Sequence, residues 1–212
     1  MPRIKICGIT NLEDALSAVN LGADFLGFVF YKKSPRSITP SEAKKIIQLL
    51  PRRVSKVGVF VDANHNFVKK IVADCSLDYV QLHGKEDPAY CRKLSGRGKK
   101  KLKIIKAFRI KDAVSLKDIT DYDVDLYLLD SFDENLKGGS GKSFNWNLIS
   151  KLQNFNLPII LSGGLNHKNV KKAIKRLKLF AVDVSSGVEK TKRKKDFKLM
   201  RDFILAAKEA SL

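Results

Sequence analysis

Residues 1–21 read MPRIKICGITNLEDALSAVNL, and this stretch sets the pattern that the rest of the chain follows. Ile4–Ile9 is a short apolar run of the kind that forms a strand buried on both faces of a parallel sheet. The next four residues, Thr10-Asn11-Leu12-Glu13, have the form of a helix capping box, and apolar residues then recur at helical spacing. One β-strand followed by one α-helix is therefore the predicted unit of the fold.

Seven further β-rich runs follow, separated by helical patterns. Helix starts are predicted at the capping box Thr39-Pro40-Ser41-Glu42, at Asn166 and at about Asp196. Eight alternations that close on a final helix, with no break in composition, predict an α/β fold: a single-domain (β/α)8 TIM barrel over residues 1–212. The further predicted strands are Phe25–Phe30, Val54–Val61, Tyr79–His83, Leu102–Ile110, Leu126–Asp130, Pro158–Ser162 and Ala181–Ser185.

The net charge of +19 favours an anionic partner. Basic residues concentrate in residues 97–103, 171–178 and 190–195, where the pattern predicts solvated loops and outer helix faces. Aromatic residues that would stack on bases are not interleaved with them, so nucleic acid is not the expected partner, although this alternative stays open. A small phosphorylated substrate fits the charge better.

Cysteine and histidine usage argues against a disulfide framework or a metal site. Cys7, Cys75 and Cys91 form no CxxC pair, and the three histidines do not flank them at the spacings of zinc ligands. We therefore expect no metal and no cofactor. The sequence also has no long apolar run and no signal-peptide core, so we expect a cytoplasmic protein without a membrane partner.

Reactive residues end several of the predicted strands. Cys7 ends the first strand, His83 the fourth, Arg109 the fifth, Asp130 the sixth and Asp183 lies near the end of the eighth. Active sites of (β/α)8 barrels lie at the carboxyl ends of the strands, so these side chains are expected around one mouth. An outward salt bridge explains Arg109 equally well, and backbone support explains Asp183 equally well.

Two glycine-rich turns follow the seventh and eighth strands. They are Ser162-Gly163-Gly164 and Ser185-Ser186-Gly187. The loops after these two strands often bind phosphate in barrels, because glycines let backbone N–H groups approach an anion. We therefore predict that Gly163, Gly164, Ser185 and Ser186 bind the phosphate of the substrate.

Motifs in matching order over nearly the whole chain resemble one known family. They are Lys5-Ile6-Cys7-Gly8-Ile9-Thr10, Ser34-Pro35-Arg36, Val57-Gly58-Val59-Phe60-Val61, Val80-Gln81-Leu82-His83-Gly84, Leu129-Asp130-Ser131, Gly138-Gly139-Ser140-Gly141, Leu161-Ser162-Gly163-Gly164-Leu165 and Val182-Asp183-Val184-Ser185-Ser186-Gly187-Val188-Glu189. Because these motifs occur together and in this order, the chain is similar to phosphoribosylanthranilate isomerase, an enzyme of tryptophan biosynthesis.

The resemblance implies an Amadori rearrangement of a phosphorylated amino-sugar. It assigns Asp130 as the general acid that protonates the furanose ring oxygen and Cys7 as the general base that removes the proton from C2′. It places Arg36 against the anthranilate carboxylate, which suits a planar guanidinium. His83 and Asp183 are expected to line the site, and His83 is given no catalytic role.

Four points remain open from the sequence. Residues 138–143 look like a phosphate-binding P-loop, but Leu136 stands where that motif needs its first glycine, so a loop over the site is predicted instead. Residues 190–196 lack the glycine that the family usually has in this turn, so their loop is expected to differ in shape. A histidine-pathway sugar isomerase is the nearest rival, although its first strand is expected to end in Asp rather than Cys7. The oligomeric state is predicted only as monomer or homodimer.

Overall fold

Eight parallel β-strands close into a barrel in the computed structural model, which describes residues 1–96, 102–110, 118–131 and 157–210. Each strand pairs with its neighbour in chain order, and the eighth pairs with the first, with Val182 opposite Ile4. The predicted barrel is confirmed, and the strand ends lie within two residues of the predicted ones. The strands are β1 (Arg3–Cys7), β2 (Phe25–Val29), β3 (Ser55–Phe60), β4 (Tyr79–Leu82), β5 (Lys103–Ile110), β6 (Leu126–Ser131), β7 (Ile159–Ser162) and β8 (Ala181–Val184).

Helices follow the strands on the outside of the barrel. Within the described residues they are α1 (Leu12–Leu21), α2 (Pro40–Ile47), α3 (His65–Cys75), α4 (Pro88–Ser95), α5 (Val170–Arg176) and α6 (Phe197–Glu209). A small antiparallel hairpin of β9 (Glu189–Thr191) and β10 (Lys194–Lys195) lies between β8 and α6. None of the helices in the described ranges is long and apolar enough to cross a bilayer.

Two of the predicted helix starts are confirmed. At α2 the Thr39 hydroxyl accepts a hydrogen bond from the Glu42 amide, and the Glu42 carboxylate accepts one from the Thr39 amide. At α6 the Asp196 carboxylate accepts a hydrogen bond from the Leu199 amide at 2.9 Å. Both caps satisfy amide groups of the first helical turn that would otherwise lack a partner.

The other two predicted helix starts were wrong. The start of α1 was wrong by one residue, and that of α5 was wrong by a few residues. The N-cap of α1 is Asn11, whose side chain accepts from the Asp14 amide at 2.8 Å, whereas the Thr10 hydroxyl donates to a backbone carbonyl of the β9–β10 hairpin. Asn166 does not start α5, which begins at Val170. The Asn166 side chain instead accepts from the amide two residues ahead, which makes a turn before the helix.

Apolar side chains fill two layers of the molecule. One cluster lies between the strands and the helices, and it contains the buried faces of α1, α2, α3 and α6. A second cluster fills the barrel interior with alternate residues of the strands, as the period of two along each strand requires. Its members are Phe25, Val57, Tyr79, Ile105, Ala107, Leu126, Leu128, Ile160 and Ala181.

One basic run does not lie wholly in solvent as predicted. Lys195, at the end of residues 190–195, is 3% exposed. Lys190, Lys192 and Arg193 of the same run are exposed, as are several lysines of residues 171–178. Residues 97–101 of the first run lie outside the described residues. The sequence could not distinguish Lys195 from its exposed neighbours, because all of them belong to the same run of basic residues.

Candidate active site

A cavity of about 310 Å³ opens at the carboxyl ends of the barrel strands. It has the size expected of a site for a small ligand and the location expected in this architecture. The nine residues that the sequence suggested for catalysis or substrate binding all line it, namely Cys7, Arg36, His83, Asp130, Gly163, Gly164, Asp183, Ser185 and Ser186. Their location therefore agrees with the prediction, while their roles are a separate question.

Cys7 is the last residue of β1, and its side chain points into the barrel. Burial raises the pKa of its thiol. The positive charge of Lys5 opposes this rise most strongly, the charge of Asp183 adds to it, and the charge of Lys195 opposes it. The amount of reactive thiolate at this position therefore depends on the cations that surround the sulfur.

Gly27 makes room for the Cys7 sulfur. It lies opposite Cys7 in the register of β1 and β2. A Cβ atom at this position would stand 2.7 Å from Cys7 Sγ and 3.1 Å from Cys7 Cα. Gly27 was not among the residues predicted for the site, although a glycine inside an apolar strand often marks such a close approach.

Replacing Gly27 with Ala is expected to reduce kcat by about a hundredfold, because a displacement of the sulfur by about 1 Å spoils the geometry of proton transfer. Steady-state kinetics at saturating substrate measures this effect, and circular dichroism verifies the fold of the variant. An unchanged kcat in a folded Gly27→Ala protein would show that the position of the sulfur is not restricted in this way.

A chain of hydrogen bonds connects Gln81, His83 and Asp130. Gln81 Nε2 lies 2.9 Å from His83 Nδ1, and His83 Nε2 lies 3.2 Å from Asp130 Oδ2. With the Gln81 amide donating to Nδ1, the ring proton is on Nε2 and is donated to Asp130. His83 therefore orients the carboxyl group in addition to lining the cavity. Alternation along β4, which puts Gln81 and His83 on one face, is the signal in the sequence for this contact.

Asp183 holds two partners inside the barrel. Its Oδ1 accepts from Lys5 Nζ at 2.7 Å, and its Oδ2 accepts from the Ser162 hydroxyl at 2.8 Å. Lys5 was not among the residues predicted for the site. Its position two residues before Cys7 on one strand, hence on the same face, was the available signal.

Arg36 is held at the rim of the cavity by Glu189. Its Nε and Nη2 donate to the two carboxylate oxygens of Glu189, each at 2.7 Å. Lys195 Nζ lies 3.2 Å from Glu189 and donates to the Ser185 carbonyl at 3.0 Å. Although burial acts to raise it, the pKa of Glu189 is lowered by Arg36 and Lys195. The charged carboxylate of Glu189 thus fixes one edge of the guanidinium. This role of Glu189 and the burial of Lys195 were not predicted from the sequence.

Residues 190–196, which lack the glycine that the family usually has in this turn, form most of the β9–β10 hairpin. Arg193 adopts a left-handed backbone with φ of 74°, a conformation that glycine adopts more easily. Its side chain donates to the Ser37 carbonyl at 2.8 Å, and its carbonyl accepts from the Thr10 hydroxyl at 2.7 Å. The hairpin is therefore fastened to the loop that carries Arg36.

The two glycine turns face the cavity from β7 and β8. Gly163 and Gly164 have φ of 86° and 64°, which favours glycine at both positions. A Cβ atom at Gly164 would meet no described atom within 4 Å, so a ligand can approach this backbone closely. On the other turn the Ser185 hydroxyl donates to the Cys7 carbonyl at 3.1 Å, which ties this turn to β1.

Several sequence predictions fall elsewhere. Arg109 is exposed at the end of β5, opposite Asp130 in register, and shares its face of the strand with the interior residues Ile105 and Ala107. Arg109 is not one of the described residues that line the cavity. The glycine-rich residues 138–143, for which a loop over the site is predicted, lie outside the described residues.

Comparison with known proteins identifies one family. Residues 4–206 match the family model described as N-(5′-phosphoribosyl)anthranilate isomerase. The N-(5′-phosphoribosyl)anthranilate isomerase of Trichlorobacter lovleyi is 48% identical over 210 residues, which cover 99% of this chain and 100% of the relative.

Solved structures agree with the family match. The crystal structure of phosphoribosyl anthranilate isomerase from Thermotoga maritima superimposes with a TM-score of 0.90 at 43% identity, over 99% of this chain and 100% of that one. Another phosphoribosyl anthranilate isomerase, crystallised with reduced 1-(o-carboxyphenylamino)-1-deoxyribulose 5-phosphate, has a TM-score of 0.87 at 40% identity with the same coverage.

Proposed function

Because this chain belongs to the family of N-(5′-phosphoribosyl)anthranilate isomerases, we propose that Asp130 and Cys7 are the general acid and the general base of its reaction. The chain is an isomerase of tryptophan biosynthesis that converts N-(5′-phosphoribosyl)anthranilate into 1-(2-carboxyphenylamino)-1-deoxyribulose 5-phosphate. The observation that carries the assignment of roles is that a thiol, a carboxyl group and an arginine line one cavity beside two glycine turns.

Ring opening is the first step. Asp130 donates a proton to the furanose ring oxygen, the bond from this oxygen to C1′ breaks, and the lone pair of the anthranilate nitrogen forms the C1′=N double bond of a Schiff base. The hydrogen bond from His83 Nε2 to Asp130, 3.2 Å long, aims the carboxyl group for this transfer. A positioned acid of this kind accelerates a reaction by about 100- to 10,000-fold.

Proton abstraction is the second step. The Cys7 thiolate takes the proton from C2′, and the electrons of that bond move toward the C1′=N group to give an enolamine. Transfer of a proton to C1′ and loss of the hydroxyl proton at C2′ then give the ketone, so the substrate and the product are isomers. The elevated pKa of the buried thiol lowers the fraction of thiolate at neutral pH, but it makes each thiolate a stronger base.

In this proposal different groups of the cavity bind the phosphate and the carboxylate of the substrate. Backbone N–H groups of the turns at Gly163-Gly164 and Ser185-Ser186 receive the phosphate. Arg36 receives the anthranilate carboxylate. Its contact with Glu189 engages only two of the five guanidinium N–H donors, so the other donors can bind the carboxylate. Asp183 supports this arrangement from inside the barrel through Lys5 and Ser162.

Replacing Arg36 with Met is expected to raise KM by about ten- to a hundredfold, the effect of losing a charge-assisted contact with a carboxylate. The fold should persist, since Glu189 keeps Lys195 as its partner at 3.2 Å. Arg36→Lys keeps the charge but not the paired donors, so its KM should lie between those of the wild type and Arg36→Met. A wild-type KM for Arg36→Met would remove Arg36 from substrate binding.

Turnover itself is tested with the purified chain and the substrate. Consumption of N-(5′-phosphoribosyl)anthranilate is followed as loss of its fluorescence, with the fold of the protein verified in the same sample. We expect turnover without added metal or cofactor. A folded protein that leaves the fluorescence unchanged would contradict the proposal.

The rival sugar isomerase is not favoured, because the first strand ends in Cys7 and the family match spans residues 4–206.

Location and assembly complete the proposal. We propose a cytoplasmic enzyme, which the three free and buried cysteines support, because a reducing compartment keeps thiols unpaired. We propose a monomer or a homodimer, and sedimentation equilibrium distinguishes the two. A larger assembly in that measurement would contradict this part of the proposal.

A further inference from the structure

Lys5 is a charged side chain in the interior of the barrel. Its relative exposure is 0%, and it is among the largest of the fully buried side chains in the described part of the chain. Moving an ammonium group out of water is costly unless it has a charged or hydrogen-bonding partner. Lys5 Nζ donates to Asp183 Oδ1 at 2.7 Å, and this contact provides one such partner.

Cys7 is the second group next to this ammonium. Residues 5 and 7 are separated by two positions on β1, so their side chains leave the strand on the same face. Burial acts to lower the pKa of Lys5, but Asp183 and Cys7 together raise it above its ordinary value. The amine therefore carries a proton at neutral pH and keeps a permanent positive charge beside the sulfur.

From this geometry we infer that Lys5 is a positioning residue that sustains the Cys7 thiolate by holding a fixed positive charge next to it. The inference rests on the proposed function, in which Cys7 is the base. Its basis is the burial of the ammonium, its ion pair with Asp183 and its place on the face of β1 that carries Cys7. Lys5 lies outside the surface of the cavity and acts on the substrate only through the sulfur.

Other charged groups face Cys7, but among the described residues none favours the thiolate as strongly as Lys5. The positive charge of Lys195 on β10 also favours the Cys7 thiolate, but less strongly than the charge of Lys5 does. Burial lowers the pKa of Lys195, and its contacts are with Glu189 and the Ser185 carbonyl. Arg36 is paired with Glu189. Asp183 disfavours the thiolate and at the same time keeps Lys5 protonated.

A second buried lysine offers a matched comparison. Lys106 is 2% exposed and pairs with Glu86 at 2.8 Å, as Lys5 pairs with Asp183. Its ammonium also donates to the Gly84 carbonyl at 2.8 Å, so it fastens the loop after β4. Both lysines belong to buried ion pairs, but only Lys5 is beside the reactive sulfur. A purely structural role would make their replacement equivalent for the chemistry of Cys7.

The test is the alkylation rate of Cys7 by iodoacetamide as a function of pH, read by mass spectrometry of the peptide that contains Cys7. Because only the thiolate reacts, the midpoint of this profile reports the ionisation of the thiol. In Lys5→Met we expect the midpoint to rise by at least about one pH unit, so that alkylation at pH 7 slows about tenfold or more. The value of kcat should fall while KM changes little. In Lys106→Met the midpoint should stay at the wild-type value.

The double variant Lys5→Met/Asp183→Asn provides the same test without a buried unpaired carboxylate, in case Lys5→Met does not fold. Its midpoint should also lie above that of the wild type, because the effect of Lys5 on the thiol exceeds that of Asp183. A wild-type midpoint in a folded Lys5 variant, or an equal shift in Lys106→Met, would overturn the inference. Activity in Cys7→Ala would instead overturn the assignment of the base, and the alkylation profiles of the Lys5 variants would be unaffected.

Discussion

Cys7→Ala is expected to lower kcat by about 100- to 10,000-fold, the range that a positioned general base contributes. Alanine keeps the Cβ atom of the side chain and removes only the sulfur, so the barrel should fold. The cysteine is 8% exposed at the cavity, and its loss leaves a space that water can enter. The loss of fluorescence of N-(5′-phosphoribosyl)anthranilate at saturating concentration measures kcat.

Cys75→Ala is the matched control for this experiment. Cys75 is also a buried cysteine, with 1% exposure, but it ends α3 on the outside of the barrel and is absent from the residues that line the cavity. Its replacement should leave kcat within about twofold of the wild type, although it removes the contact of its thiol with the Pro40 carbonyl. Equal kcat values for Cys7→Ala and the wild type would require a different base.

Asp130→Asn is expected to reduce kcat by a similar factor, because an amide cannot donate a proton to the ring oxygen in the way that a carboxylic acid does. Asparagine has nearly the shape of aspartate, and its carbonyl can accept the hydrogen bond from His83 Nε2. The variant should therefore bind reduced 1-(o-carboxyphenylamino)-1-deoxyribulose 5-phosphate with nearly the wild-type dissociation constant, since this compound has no ring to open. Isothermal titration calorimetry measures this constant.

Asp125→Asn controls for the exchange of a carboxylate for an amide. Asp125 immediately precedes β6, the strand that carries Asp130, but lies at the opposite end of the barrel, where it accepts from the Ile104 amide at 2.8 Å. Asparagine can accept the same hydrogen bond, so kcat should not change. If Asp130→Asn keeps full activity, or if it loses affinity for the reduced compound in proportion to kcat, Asp130 is not the acid.

The fold and the rim of the site could be predicted from the sequence because they depend on local rules. Apolar runs of strand length alternate with capped helices, and the carboxyl ends of parallel strands meet at one mouth. Cys7, His83 and Asp130 were therefore expected to lie around one cavity from their places at strand ends alone. Their chemical roles needed the resemblance to a family, because position does not distinguish an acid from a base.

The charged groups that surround the sulfur could not be predicted, because they depend on contacts between distant parts of the chain. Lys5 and Asp183 are separated by 178 positions, and Arg36 and Glu189 by 153. Lys195 sits in a run of basic residues, so composition indicated a solvated charge, whereas its ammonium is buried against Ser185 and Glu189. Only closure of the barrel, which brings β8 and the β9–β10 hairpin to β1, creates these pairs.

Release of tritium to water from substrate labelled at C2′ tests the central claim most directly, because it follows the proton that Cys7 is proposed to remove. In a single turnover the wild type should release the label at the rate of product formation. Folded Cys7→Ala should release it at least about a hundredfold more slowly, which corresponds to the loss of a general base. Release by Cys7→Ala at the wild-type rate would contradict the account.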